Sequence, residues 1–192
     1  MNRPIQALSS ILSYPTISYP QRNLMDDEVF RGCVNALKKH YPLTFTQASI
    51  TTFHQHTYLF HLKGIDSTFP IGLMGHYDVV PVSNTWSVPP FQGVIMDDYI
   101  YGRGALDMKG HLVAVFEAVE RHLETGLPIK QDLYIMMGHN EECSGEEPDS
   151  GAEAMMLYLK EKGIKLHLVI DEGGDVIDGQ RLHVNEDRKS VV

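Results

Sequence analysis

The sequence predicts an α/β fold, a mixed, mostly parallel sheet flanked by helices, and three observations lead there. Short apolar runs at residues 69–80, 129–138 and 165–170 alternate with amphipathic stretches at residues 111–123 and 152–162. That strand, turn, helix repeat builds a largely parallel sheet. Each apolar run also ends in a polar cluster, and the carboxyl edge of such a sheet is where sites form. Finally, 192 residues of which 43% are hydrophobic bury one sizeable core without disulfides, which makes one domain the default.

Taken in order, residues 4–13 read as a short helix and residues 15–21 as a connection. Asp26 and Asp27 stand where an N-cap and a first-turn acid belong, ahead of Val29, Phe30, Val34 and Leu37 on one helical face, with Lys38 and Lys39 at the far end. Residues 44–53 and 57–62 alternate and are rich in Thr, Phe, Ile and Tyr, so they read as two strands joined at residues 54–56. His54, His56 and His61 fall here, but no carboxylate or cysteine accompanies them, and solvated imidazoles on a turn and a strand face are the expectation. Residues 69–80, FPIGLMGHYDVV, read as a strand buried on both faces. Residues 81–101, with Trp86, Pro89, Pro90 and Phe91, read as a long irregular loop packed by its own aromatics.

Residues 101–110, YGRGALDMKG, are the stretch around which the rest is arranged. Gly102, Gly104 and Gly110 permit a tight turn that carries Asp107, expected to be buried, into the helix of residues 111–123, where Leu112, Val115, Phe116, Val119 and Leu123 form one apolar face. Lys109 allows a phosphate-loop reading, but GxxxxGK[ST] is absent and the acid stands where backbone N–H groups and positive charge would be needed. Residues 129–138 are the next strand and end in His139-Asn140-Glu141-Glu142; Glu146, Glu147 and Asp149 then read as an exposed loop. Residues 152–162 form a helix and 165–170 a fourth buried strand, closing on Asp171-Glu172-Gly173-Gly174.

His76 and Asp78, two residues apart at a strand end, point to the same side, so the aspartate can fix the imidazole tautomer. Adjacent carboxylates at Glu141 and Glu142 are costly without a cation, and strand geometry turns them in opposite directions, leaving one to bind metal and the other to move protons. Topology brings together His76, Asp107, Glu141 or Glu142, and Asp171 or Glu172. One histidine with several carboxylates suits zinc or another divalent ion, and an aspartate can bridge two.

The composition narrows the partners. A net charge of −9 argues against a nucleic-acid backbone as ligand. No apolar stretch reaches spanning length, and the first twenty residues, interrupted by Pro15 and Pro20, lack a signal-peptide run. Cys33 and Cys143 have no framework or metal spacing, which points to a reducing compartment and so to the cytoplasm.

GHYDVVPV, YGRGALDMKG, GHNEECSGE and IDEGG, in this order and spacing, resemble the zinc-dependent aminoacylase, carboxypeptidase and succinyl-diaminopimelate desuccinylase family, metallopeptidase family M20. WSVPPFQGVI and DEGG are most similar to its carboxypeptidase S branch, which includes N-acyl-amino-acid hydrolases. The likeness runs from about Arg22 to Gly179. It implies a di-zinc exopeptidase-like catalytic domain in which His76 and Glu172 ligate one zinc, Asp107 bridges two and precedes a cis peptide bond, and Glu142 ligates the second. It implies further that Asp78 orients His76 and that Glu141 is the general base. Cobalt or manganese can stand in for zinc. Asn140 replaces an aspartate that many relatives carry.

The resemblance implies hydrolysis of an amide bond in a small peptide or an N-acyl-amino acid. It also makes residues 1–192 the N-terminal part of a catalytic domain whose lid, dimer contacts, C-terminal return and last zinc-ligating histidine lie elsewhere. His183, in LHVNEDR, matches no motif that would replace that histidine. The expectation is a homodimer for the complete protein and inactivity for this chain alone, with a non-catalytic metal- or partner-binding module as the alternative.

Overall fold

The computed structural model describes residues 2–83, 85–143 and 150–173. The expected loop with Glu146, Glu147 and Asp149 lies outside these residues, as do Gly174 and His183.

Helix α1 (Arg3–Leu12) has Pro4 in its first turn, where no N–H partner is needed, and buries Ala7, Ile11 and Leu12. Helix α2 (Asp27–His40) is capped by Asp26, whose carboxylate accepts from the Glu28 and Val29 N–H groups. Residues 44–47, expected to be extended, are helical instead. They belong to α3 (Pro42–Gln47), which precedes strand β1 (Ser49–Phe53). The cause is tertiary. The buried Glu120 carboxylate accepts from the Leu43 and Thr44 N–H groups at 2.8 Å each and from the Thr44 hydroxyl at 2.7 Å. It thus satisfies the open N-terminal end of α3 and outweighs the β preference of Thr44 and Phe45.

Strand β1 turns at His54 and Gln55, both at positive φ, into β2 (Thr57–Leu62). Strand β3 (Asp66–His76) starts three residues before the expected run and is exposed as far as Phe69; from Pro70 onward it is buried or half-buried, as expected, and it ends at His76 rather than Val80. Residues 81–101 are not wholly irregular, because β4 (Val94–Met96) and β5 (Tyr99–Tyr101) pair as a ribbon through a turn at Asp97 and Asp98. Their loop packs outward from its own aromatics as well: Ser9 Oγ donates to Gly93 O at 2.7 Å, and the Arg103 guanidinium lies 5.3 Å from the Trp86 ring centre. Helix α4 (Lys109–Glu124), strand β6 (Gln131–Gly138), helix α5 (Gly151–Glu161) and strand β7 (Leu168–Ile170) follow.

The main sheet has the order β1-β2-β6-β3-β7. Strands β6, β3 and β7 are parallel neighbours, while β2 runs antiparallel to β6. One face carries the larger core, where Phe60, Ile135 and Met137 of the sheet meet Ile11 of α1, Phe30 and Leu37 of α2, and Leu112 and Phe116 of α4. On the other face Leu59, Tyr134 and Met136 pack against Met155 and Leu159 of α5. The expected fourth buried strand is a short edge strand. Leu168, Val169 and Ile170 of β7 are close to half exposed, since β7 pairs only with β3 among the described residues. Parallel pairing of β3 with β6 and β7 aligns their carboxyl ends, with His76 directly opposite Gly138.

Candidate metal centre

His76 closes β3 and is 2% exposed. Its Nδ1 lies 3.2 Å from both the backbone oxygen and Oδ1 of Asp78, so the aspartate holds this nitrogen and directs Nε2 outward. Asp78 is itself fully buried and saturated: Oδ1 accepts from the Glu141 N–H at 3.1 Å, and Oδ2 from the Glu142 N–H at 3.1 Å and the Ser18 hydroxyl at 2.6 Å. One carboxylate therefore orients the imidazole and pins the backbone of the paired glutamates.

Asp107 reaches the same place from the turn before α4, with Oδ1 3.1 Å from His76 Nε2. Its side chain is 63% exposed, contrary to the expected burial, because it projects from the lip of the sheet towards the other acids. The turn itself is built as the glycines suggest, though for different reasons at each. Gly104 has φ +86°, while at Gly110 a Cβ would stand 2.3 Å from Ala105 O; Gly102 is only closely packed, against Leu12 and Pro90. The Asp107-Met108 peptide bond is cis.

Glu141 and Glu142 follow β6 in a 3₁₀ turn, and Glu172 follows β7. His76 Nε2 lies 3.7 Å from Glu141 Oε2 and 3.9 Å from Glu172 Oε2. Ligand atoms of His76, Asp107 and Glu142 lie within 4.8 Å of one another, as do those of His76, Glu141 and Glu172. The two sets share the imidazole. A cleft of about 270 Å³ opens beside them, lined by Met74, Gly75, Asn140, Ser150, Ala152 and Asp171 among others. A larger apolar groove of about 820 Å³ along α5 and β7 holds no comparable group of titratable side chains.

The electrostatics agree with a cation site. Burial disfavours the imidazolium of His76, yet the hydrogen bond and charge of Asp78, with Glu141 and Glu172 behind, outweigh it and raise the pKa from 6.5 to about 9. Burial raises the Glu142 carboxyl, with the charge of Asp107 adding to it and His76 opposing. Burial likewise raises Glu172, again against His76, with Asp107 and Glu141 adding. Two carboxylates, Glu142 and Glu172, raised chiefly by burial, beside Asp107 and one oriented imidazole, form a donor set that a divalent cation satisfies.

The remaining polar residues support the site or have no part in it. His139 is buried beside it, its Nδ1 2.6 Å from Thr57 Oγ1, and burial lowers its pKa to about 4, so it stays neutral. Asn140 Oδ1 accepts from the Gly151 N–H at 3.0 Å, fastening the glutamate turn to the start of α5. His54, His56 and His61 lie outside both ligand sets. They are not all solvated, however. His56 is fully buried with Nε2 2.6 Å from Asp27 Oδ1, and His61 stacks on Tyr134 at 4.5 Å. Lys109 is no phosphate ligand; it is completely buried, and its ammonium donates to Ile11 O and Tyr14 O at 3.2 and 2.8 Å, closing the end of α1. Sequence reasoning gave Lys109 and Ser18 no such place. The nearest signal was Lys109 immediately before an apolar helix face, and nothing local marks Ser18.

Residues 72–185 match the model of peptidase family M20/M25/M40. The chain belongs to this family. Among M20 relatives, it is 34% identical over 179 residues to the N-fatty-acyl-amino acid synthase/hydrolase PM20D1 of Xenopus tropicalis, which covers 91% of this chain and 34% of the relative. It is 30% identical over 191 residues to carboxypeptidase S of Saccharomyces cerevisiae, covering 92% and 33%. The chain thus spans about a third of the length of these M20 relatives. In fold it is similar to the M20 metallo-carboxypeptidase Sso-CP2 of Sulfolobus solfataricus, with a TM-score of 0.65 at 23% identity over 92% of this chain and 38% of that one. It is also similar to human carnosine dipeptidase 1, with a TM-score of 0.67 at 19% identity over 91% and 39%. No helix among the described residues is long and apolar enough to cross a membrane.

Proposed function

We propose that this chain carries the metal-ligating and proton-transferring residues of an M20 amide hydrolase. The observation that carries the reading is the convergence of His76, oriented by Asp78, with Glu141, Glu142 and Glu172 at the carboxyl ends of three adjacent parallel strands, and of Asp107 from the turn before α4. His76 and Glu172 would hold one zinc ion, Glu142 a second, and Asp107 both; cobalt or manganese would serve the same donors. Such ions lower the pKa of a water molecule and polarise the scissile carbonyl. Glu141 is half exposed and lies in the cluster, so its carboxylate can take the proton of the attacking water and pass it to the leaving amine. Asp78 is occupied by four hydrogen-bond contacts and moves no proton; it keeps His76 and the glutamate turn in place.

The substrate class in this reading is a small peptide or an N-acyl-amino acid, supported by the names of the relatives. The activity is proposed for a polypeptide of the relatives' length, possessing a lid domain and forming homodimers, in which residues 1–192 are the N-terminal part of the catalytic domain. The 192 residues alone are expected to be hydrolytically silent. A reducing, cytoplasmic compartment belongs to the same proposal, supported by the spacing of Cys33 and Cys143. The exposure of Asp107 favours a second reading, a metal- or partner-binding module without catalysis.

The test is zinc content and hydrolysis of N-acyl-amino acids and dipeptides, in the 192-residue chain and in a polypeptide of the relatives' length. The expected result is zinc binding by both and turnover only by the longer one, with Glu141→Gln lowering turnover by about 10²–10⁴-fold while zinc is kept. Full turnover with Glu141→Gln would remove the glutamate from its role. Zinc without turnover in the longer polypeptide would favour the second reading.

A further inference from the structure

We infer that Ser18 is a positioning residue for the metal centre, acting through Asp78, and that the strap of residues 14–18 ties together two supports of the site. The inference rests on the reading of His76 and the surrounding carboxylates as ion ligands. A fully buried carboxylate needs its acceptor positions filled, and unfilled ones let it turn. Three of the contacts to Asp78 come from segments that themselves bear proposed ligands: Nδ1 of His76 and the N–H groups of Glu141 and Glu142. The fourth, from the Ser18 hydroxyl, is the shortest of the set at 2.6 Å and comes from a different part of the chain. Without it Oδ2 keeps only the Glu142 N–H, and the orientation of His76 and of the glutamate turn both loosen.

The strap is built to deliver that hydroxyl. Thr16 is fully buried; its Oγ1 donates to Tyr77 O at 2.5 Å, and its backbone oxygen accepts from the Val79 N–H at 2.9 Å. Ile17 forms a parallel bridge with Val79. The residues on either side of Asp78 are therefore held by the same strap that holds its carboxylate. At the strap's other end Tyr14 O accepts from Lys109, two residues beyond Asp107. Ser18 and Lys109 thus connect, through five residues, the histidine end of β3 and the aspartate turn before α4.

The test is zinc affinity of the 192-residue chain, measured by competition with a chromophoric chelator, alongside the denaturation midpoint of the metal-free chain. Ser18→Ala should weaken zinc binding by about tenfold or more, the scale on which groups that orient metal ligands act, while the metal-free midpoint falls by no more than the loss of one buried hydrogen bond and the chain stays folded. Ser18→Thr restores a hydroxyl and should restore affinity. Ser18→Cys, which keeps the volume but donates weakly, should fall between. Wild-type affinity in Ser18→Ala, or a loss shared equally by Ser18→Thr, overturns the inference. Asp107→Ala separates this from the underlying reading: its loss of zinc with none in Ser18→Ala overturns only the role of Ser18. Undiminished binding in Asp107→Ala, or no zinc in the wild type, overturns both.

Discussion

At the scale of single residues, His76 is a site contested between a proton and a metal ion. Asp78, Glu141 and Glu172 hold its pKa at about 9 against the cost of burial, so at neutral pH the folded chain carries imidazolium there. A cation must displace that proton, and its apparent affinity falls as the proton becomes harder to displace at lower pH. Zinc titrations at about pH 6.5, 7.5 and 8.5 should show affinity for the ion held by His76 rising by roughly tenfold per unit and levelling above about 9, with one proton released from His76 as that ion binds. Affinity independent of pH over that range would place His76 outside the ligand set. His76 and the glutamate pair were legible as candidates because strand-end placement is a local property, and Asp107 because glycines mark its turn; the opposite directions expected of Glu141 and Glu142 do not hold, since the pair sits in a 3₁₀ turn where each joins a set with His76. The grip of Ser18 on Asp78 was not, since a serine hydroxyl acquires its partner only when residues 60 positions apart meet.

At the scale of elements, local signals worked where the element satisfies itself. Asp26 caps α2, and the apolar run of β6 lies between the two cores, so both are readable from sequence. Helix α3 depends on Glu120, which lies in α4, and the exposure of β7 depends on what pairs beside it; neither is encoded in its own residues. The β4-β5 ribbon had a local sign, Asp97-Asp98 between apolar residues, where acidic residues tolerate positive φ. Helix α1 is a case of dependence with a measurable size. Lys109→Met would keep length and apolar bulk but remove the ammonium from the Ile11 and Tyr14 carbonyls, leaving them the N–H groups of Tyr14 and Thr16. The expected cost is about 1.5–3 kcal/mol from the lost bonds to the charged group, read as a lower urea midpoint. A change within about 0.5 kcal/mol would show that backbone or water replaces the ammonium.

At the scale of the whole molecule, the proposed ion ligands His76, Asp107, Glu142 and Glu172 are gathered from three parallel strand ends and one turn, and no two of them are near neighbours in sequence. Strands β6, β3 and β7 must be paired before His76, Glu141 and Glu172 can meet, and closing such long loops is slow and entropically expensive. Zinc in the refolding buffer should therefore leave the folding rate unchanged and slow unfolding in stopped-flow denaturant jumps. Faster folding with zinc would mean that some ligands assemble early. The parallel arrangement that lines up the three strand ends thus also sets the order of events in time: an ion acts as a lock on the finished sheet, arriving too late to seed it.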